Sequence, residues 1–205
     1  LFVNNTYKNF VTIKIIKTMK YILLKILMVS LLLTASSEYL QSQKKLDEMT
    51  NNSSELQTAT LAAGCFWCVE AVFQNLKGVE EVISGYSGGD VKNAEAIQIK
   101  FNPSVISFEQ ILEVFWKTHD PTTLNRQGPD IGTQYRSAIF YHNEEQKRVA
   151  GESKNQMNRS GYFSKPIVTA IEPYKNFYVA EDYHQDFYKN NPNQPYCRFR
   201  IDPKM

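Results

Sequence analysis

From Leu56 onward, apolar positions switch between the two-residue period of a strand and the three-to-four-residue period of a helix. Gln57–Ala62 reads as a short buried strand ending at Gly64. Cys65–Leu76 places Phe66, Val69, Val72, Phe73 and Leu76 on one helical face and stops at Lys77-Gly78. Val79–Tyr86 reads as a second strand, with Ser87-Gly88-Gly89-Asp90 as a turn. Glu95–Phe101 alternates, with Ala96, Gln98 and Lys100 on one side and Glu95, Ile97, Ile99 and Phe101 on the other. Phe108–His119 is amphipathic about Ile111, Leu112, Phe115 and Trp116, and Ser107 is placed to cap it. Ala138–Tyr141 predicts a strand, Glu144–Ser160 a polar-faced helix and Ile167–Ile171 another strand, before an aromatic segment from Tyr174 to Tyr188. Asp120–Tyr135 differs: it carries Pro121, Asn125, Gly128, Pro129, Asp130 and Gly132 without an apolar period. A loop of that length inside a compact domain is usually functional or disordered. The order of elements predicts an α+β fold, a two-layer sandwich of a mixed β-sheet packed by helices.

Ahead of this region, Met19-Lys20 opens an apolar run from Tyr21 to Leu33, broken only by Lys25, and small residues follow at Thr34, Ala35, Ser36 and Ser37. This reads as an export signal. The run falls short of the roughly 20 apolar residues that a membrane span needs. A cleaved signal is the expectation and an uncleaved N-terminal anchor the alternative, either way placing the protein in the periplasm or cell envelope. The expected organisation is residues 1–37 as upstream segment plus signal starting at Met19, 38–55 as a solvated linker and 56–205 as the domain. Twelve Tyr, twelve Phe and 42% hydrophobic residues suit a globular core. A net charge of +2 with no long basic run argues against nucleic acid as a partner.

The chemistry centres on Gly64-Cys65-Phe66-Trp67-Cys68-Val69-Glu70 at a strand-to-helix junction. A thiol at a helix N-terminus faces unpaired N–H groups and the positive end of the helix dipole, and both favour thiolate. The residues alone leave Cys65 open between a nucleophile and a buried helix-start cysteine. The Cys65/Cys68 spacing also fits a thioredoxin-like dithiol or half of a zinc site. A closed zinc site needs four ligands, and with Cys197, His119, His142 and His184 scattered no metal is expected. Glu95 by itself reads as a strand carboxylate pointing into solvent. Asp130 and Tyr135 lie in the irregular stretch, where binding residues gather, although Asp130 equally fits an ordinary turn. The aromatic run reads as packing, and His184 as a hydrogen-bonded structural histidine.

The segments GCFWCVE (64–70), GYSGG (85–89), the stretch 94–141 that includes GPDIGTQY, AEDYHQDFY (180–188) and NPNQPYC (191–197) resemble the A-type peptide-methionine sulfoxide reductases from about Leu56 to Pro203. The resemblance implies thiol-dependent reduction of methionine S-sulfoxide, free or in peptides and proteins, without a cofactor. It makes Cys65 the nucleophile that passes through a sulfenic acid, and Glu95 the acid that protonates the sulfoxide oxygen. Phe66 and Trp67 would receive the substrate methyl group, and Asp130 and Tyr135 would complete the polar wall. Cys197 matches a C-terminal recycling cysteine, with Cys68 as the alternative resolving thiol. A thioredoxin-like dithiol would reduce the resulting disulfide, and the protein is expected to act as a monomer. The expected fold has a ferredoxin-like core and an irregular C-terminal tail.

One departure matters. The family places about a dozen residues, of the form NPTYEEVCxGTTGH, before the Ala-Glu dipeptide, whereas here Asn93 is followed directly by Ala94. The absent piece carries a tyrosine that helps to bind the sulfoxide oxygen. The expectation is therefore an active enzyme with a thinned oxygen site, a catalytically impaired homologue, or a defect in the sequence. A general thiol–disulfide oxidoreductase is the rival from another class.

Overall fold

The computed structural model describes residues 39–43, 55–88 and 93–205. The proposed signal segment and the Gly89-Asp90 half of the predicted turn lie outside the described residues, as does most of the linker. Among the described residues no helix is long and apolar enough to cross a membrane.

Residues 53–205 form one compact unit. Strand β1 (Gln57–Ala63) leads into helix α1 (Phe66–Phe73), and β2 (Val79–Ser87) and β3 (Ala94–Phe101) form a hairpin. Helix α2 (Phe108–Thr118) crosses to β6 (Ser137–Tyr141), with a two-residue ribbon of β4 (Arg126–Gln127) and β5 (Asp130–Ile131) between them. Helix α3 (Glu144–Arg159) carries the chain to β7 (Ala170–Pro173), and β8 (Phe177–Val179) precedes the four-residue helix α4 (Phe187–Asn190). The large sheet runs β7-β6-β1-β3-β2-β8. Its inner four strands are mutually antiparallel, the ββ hairpin flanked by α1 and α2 crossovers that define a ferredoxin-like core. Beyond them β7 adds parallel to β6, and β8 antiparallel to β2, which makes the sheet mixed.

Side-chain alternation decides what each face buries. Leu61, Ile97, Ile99, Phe101 and Ile139 pack against Phe66, Val69 and Phe73 of α1 and Ile111, Leu112, Phe115 and Trp116 of α2. The opposite face is built from small residues, Ala62, Ala94, Ala96 and Ala138 around Phe140, under Tyr174 and Phe177. Ser107 closes a capping box with Gln110, and the Asn143 side chain accepts from Gln146 N to start α3, so two of the four helices begin at side-chain caps.

Several boundaries move. The predicted strand Ile167–Ile171 is displaced to Ala170–Pro173, because Thr169 turns inward to hydrogen-bond Ser137 Oγ, with His119 Nε2 on the same hydroxyl. His119 is thereby fixed as a structural group, and its burial lowers its pKa to about 4. Helix α1 ends at Phe73 rather than Leu76. The aromatic stretch conceals β8, whose alternation is too short to read. The β2–β3 register runs through Tyr86↔Glu95 to Ser87↔Ala94, so pairing reaches the Asn93–Ala94 junction without interruption.

Candidate active site

Cys65 is the N-cap of α1, its sulfur making no capping hydrogen bond. Gly64 ahead of it has φ +84°, and a Cβ there would stand 2.6 Å from Cβ and Cγ of Gln127. Only glycine allows the Asp120–Tyr135 segment to close on the cysteine at that point. The Gln127 amide is itself pinned to the backbone of Asp120 by two hydrogen bonds of 3.2 Å. The irregular segment is thus an ordered wall, and it brings Asp130 and Tyr135 to the site.

Glu95 does not face solvent. It shares its strand face with Ile97, Ile99 and Phe101, and its Oε2 accepts the backbone N–H of Phe66 at 3.1 Å. Burial raises its pKa to about 7; the Phe66 N–H pulls it back down, and the Asp130 and Cys68 charges add to the rise. The isolated reading of Glu95 as a solvent-facing carboxylate is corrected by its register.

Trp67 lies flat on Phe187, with ring centroids 3.6 Å apart and planes 7° apart. Its Nε1–H donates to His184 Nδ1 at 3.2 Å, and the Tyr196 ring meets it edge-on at 5.6 Å. Phe66 packs on Tyr86 at 5.7 Å and on His184 at 5.1 Å. The Tyr196 hydroxyl donates to Asp130 Oδ2 at 3.4 Å and lies 3.8 Å from Cys68 Sγ.

The two thiols of the first turn act as one acid. The neighbouring Cys65 thiol, ahead of Lys204, Tyr196 and Arg200, brings Cys68 down to about 7 against the pull of burial. The nearby Cys68 thiol, burial and the Cys68 charge raise Cys65, and Tyr196 opposes them. The lowered ionisation expected at the helix start therefore belongs to the pair, shared between residues 65 and 68. Two sulfurs in one buried site share a single ionisation, and the cations of the C-terminal segment lie with Cys68. The third thiol, Cys197, has no exposed surface and packs in the same apolar cluster as Cys65 and Cys68. It starts a π-helical turn, Cys197–Ile201, and so already lies inside rather than on a loose tail.

A cavity of about 250 Å³ opens onto Cys65 and Cys68 between Asp130, Tyr196, Arg200 and Lys204. Of the residues picked out by sequence, Cys65, Cys68 and Asp130 line this cavity; Glu95 adjoins the turn through the Phe66 N–H, Cys197 packs in the cluster of the two thiols, and Phe66, Trp67 and Tyr135 are not part of the lining. Three participants went unassigned. Tyr196 adjoins a chosen cysteine and gave no other signal. Tyr86 follows from the β2 alternation once its partner is known. Glu70, 1% exposed, accepts the backbone N–H of Asp186 at 3.2 Å, and only its place in an apolar helix face hints at burial.

The sequence profile described as peptide methionine sulfoxide reductase matches residues 57–205. The chain belongs to this family. It is 51% identical over 162 residues to peptide methionine sulfoxide reductase MsrA 1 of Rhodopirellula baltica, covering 73% of this chain and 83% of the relative. Similarity to the MsrA of Deinococcus radiodurans is 48% over 177 residues, covering 80% and 86%. Among solved structures, reduced Mxr1 of Saccharomyces cerevisiae superposes with a TM-score of 0.65 at 34% identity, covering 68% of this chain and 88% of Mxr1. Mxr1 in complex with Trx2 gives 0.52 at 30% identity, covering 65% of this chain and 85% of that one.

Proposed function

We propose that the protein reduces methionine S-sulfoxide to methionine, with Cys65 as nucleophile and Glu95 as acid. The observation that carries this reading is the Phe66 N–H to Glu95 hydrogen bond, which holds a carboxyl with a pKa of about 7 beside the thiol-bearing turn. Family membership and the MsrA relatives support the reaction.

The Cys65 sulfur attacks the sulfoxide sulfur while its proton passes to the Cys68 thiolate and Glu95 gives its proton to the sulfoxide oxygen. The hydroxyl moves to Cys65, the substrate sulfur is reduced by two electrons and methionine leaves. Cys65 remains as a sulfenic acid. Phe66 and Trp67 form the apolar side that takes the substrate methyl group, and Asp130 and Tyr135 the polar side. A second thiol then displaces the hydroxyl as water and forms a disulfide. The resemblance points to Cys197 for that step, but its full burial and a pKa raised by that burial leave it ill suited. Cys68, three residues on and lining the same cavity as Cys65, is the better-placed first partner. A thioredoxin-type dithiol restores both thiols by exchange, a role consistent with the Mxr1–Trx2 complex. The Met19–Ser37 sequence supports export, so the donor would act outside the cytoplasm.

The test is turnover of each epimer of a blocked methionine sulfoxide with dithiothreitol, alongside Cys65→Ser. Reduction of the S epimer alone, abolished in the variant, is expected. Equal turnover of both epimers, or insulin disulfide reduction with no sulfoxide turnover, would overturn the reading.

A further inference from the structure

We propose that the Tyr86 hydroxyl, from the strand beside Glu95, joins Tyr135 in holding the oxygen of the bound sulfoxide. This inference deepens the reductase reading and rests on it.

Tyr86 and Glu95 are direct cross-strand partners, so their side chains leave the sheet on the same face, toward the start of α1. There Glu95 takes the Phe66 N–H, and the Tyr86 ring packs on the Phe66 ring at 5.7 Å. The surroundings of the hydroxyl are acidic and aromatic. The charges of Glu181, Glu95, Tyr183 and Tyr135 all bear on it, after burial, in raising its pKa. Tyr135 in turn feels Glu95, Asp130 and Cys65. Both phenols thus lie within electrostatic reach of one carboxyl, Tyr86 as its direct cross-strand partner.

The phenol of Tyr86 is uncommitted. Among the described residues it forms no hydrogen bond, whereas Tyr196 spends its hydroxyl on Asp130 and Cys68, and Tyr188 its own on Asp202. A half-buried donor left without a partner beside an acid is available to an oxygen arriving in that space. A sulfoxide oxygen gains negative charge as its sulfur is attacked. A donor aimed at that oxygen strengthens as the charge grows and so acts on the rate. Between Gly89 and Ala94 the sequence carries no tyrosine to serve here. The ladder keeps Tyr86 in register with Glu95, and the oxygen site is completed from β2 instead.

Tyr86→Phe keeps the ring on Phe66 and removes only the oxygen. With the S epimer, kcat/KM is expected to fall on the order of 10²-fold at unchanged melting temperature. A change smaller than twofold would overturn the inference while leaving the reductase reading intact. Should the wild-type chain show no sulfoxide turnover, the reductase reading fails separately. The inference is then decided by tryptophan fluorescence titration of Cys65→Ser with the same blocked S-sulfoxide. Adding Tyr86→Phe should weaken binding roughly 3–10-fold, and unaltered binding would refute it.

Discussion

The Phe66 backbone N–H donates to Glu95 Oε2 across 3.1 Å, tying the residue after Cys65 to the carboxyl on β3. The bond favours the carboxylate, yet burial wins and leaves the group titrating at about 7. Cys68 titrates at about the same pH in the opposite sense, its thiolate being the required form. The kcat/KM profile should therefore be a bell with its maximum near pH 7: an acid limb from the thiol pair and an alkaline limb from Glu95. Glu95→Gln should remove the alkaline limb from whatever activity remains. An alkaline limb that persists in that variant would assign it to another group.

The same shift has a stability consequence. Folding raises the Glu95 pKa from 4.5 to about 7, so its favourable contribution is complete below 4.5 and is lost as pH rises through 7. Above that range the native state holds a partly buried carboxylate. Glu95→Gln keeps the acceptor for Phe66 N–H and should be the more stable protein at pH 8 by about 1–3 kcal/mol, with the difference shrinking toward pH 4. Urea unfolding at the two pH values measures it.

Phe187 holds Trp67 flat at 3.6 Å and is itself 8% exposed. Phe187→Ala removes both the stack and buried area, at an expected cost of about 3 kcal/mol. With one face released, Trp67 would no longer define the proposed methyl pocket, so KM should rise more than kcat falls. An unchanged KM would show that Trp67 is held by His184 and Tyr196 alone.

The layered fold was legible because it is written in long apolar periods: Ile111, Leu112, Phe115 and Trp116 announce α2, and Ile97, Ile99 and Phe101 announce β3. The same alternation places Glu95 with the buried set, although a lone carboxylate on a half-buried strand reads more naturally as a surface group. Phe177–Val179 was not legible as a strand, since three residues carry no period and only pairing to β2 makes them one. Nor was the proton distribution of the dithiol. A helix N-terminus can be read from sequence, but Lys204 and Arg200 lie some 130 residues beyond Cys68 and reach it only through the C-terminal turn.

Glu70 shows how that distant segment is fastened. Its Oε1 accepts from Asp186 N at 3.2 Å, where Asp186 sits in the left-handed region at φ 52° just before α4. The carboxyl is 1% exposed, and burial raises its pKa while the Asp186 N–H pulls it down. Glu70→Ala leaves the Asp186 N–H unsatisfied and should cost about 1–3 kcal/mol. Because α4 carries Phe187, turnover should fall as well. Loss of stability with full turnover would separate the anchor from the site.

The resolving step gives the sharpest contrast between resemblance and geometry. Cys65 and Cys68 both line the 250 Å³ cavity, and Cys68 N donates to Cys65 O at 3.2 Å. Residues three apart on a helical turn are neighbours, and a thiol titrating near ambient pH is the most effective attacker of a sulfenic sulfur. Cys197 has no exposed surface, and its thiol is raised by burial and by the Asp202 and Cys68 charges. After one turnover without reductant, mass mapping should find a Cys65–Cys68 disulfide in the wild type and in Cys197→Ser. In Cys68→Ser the sulfenic acid should persist long enough to be trapped by a cyclic dione. A Cys65–Cys197 disulfide as the first product, or loss of recycling in Cys197→Ser alone, would return the role to the C-terminal thiol and require the Cys197–Ile201 turn to open during every cycle.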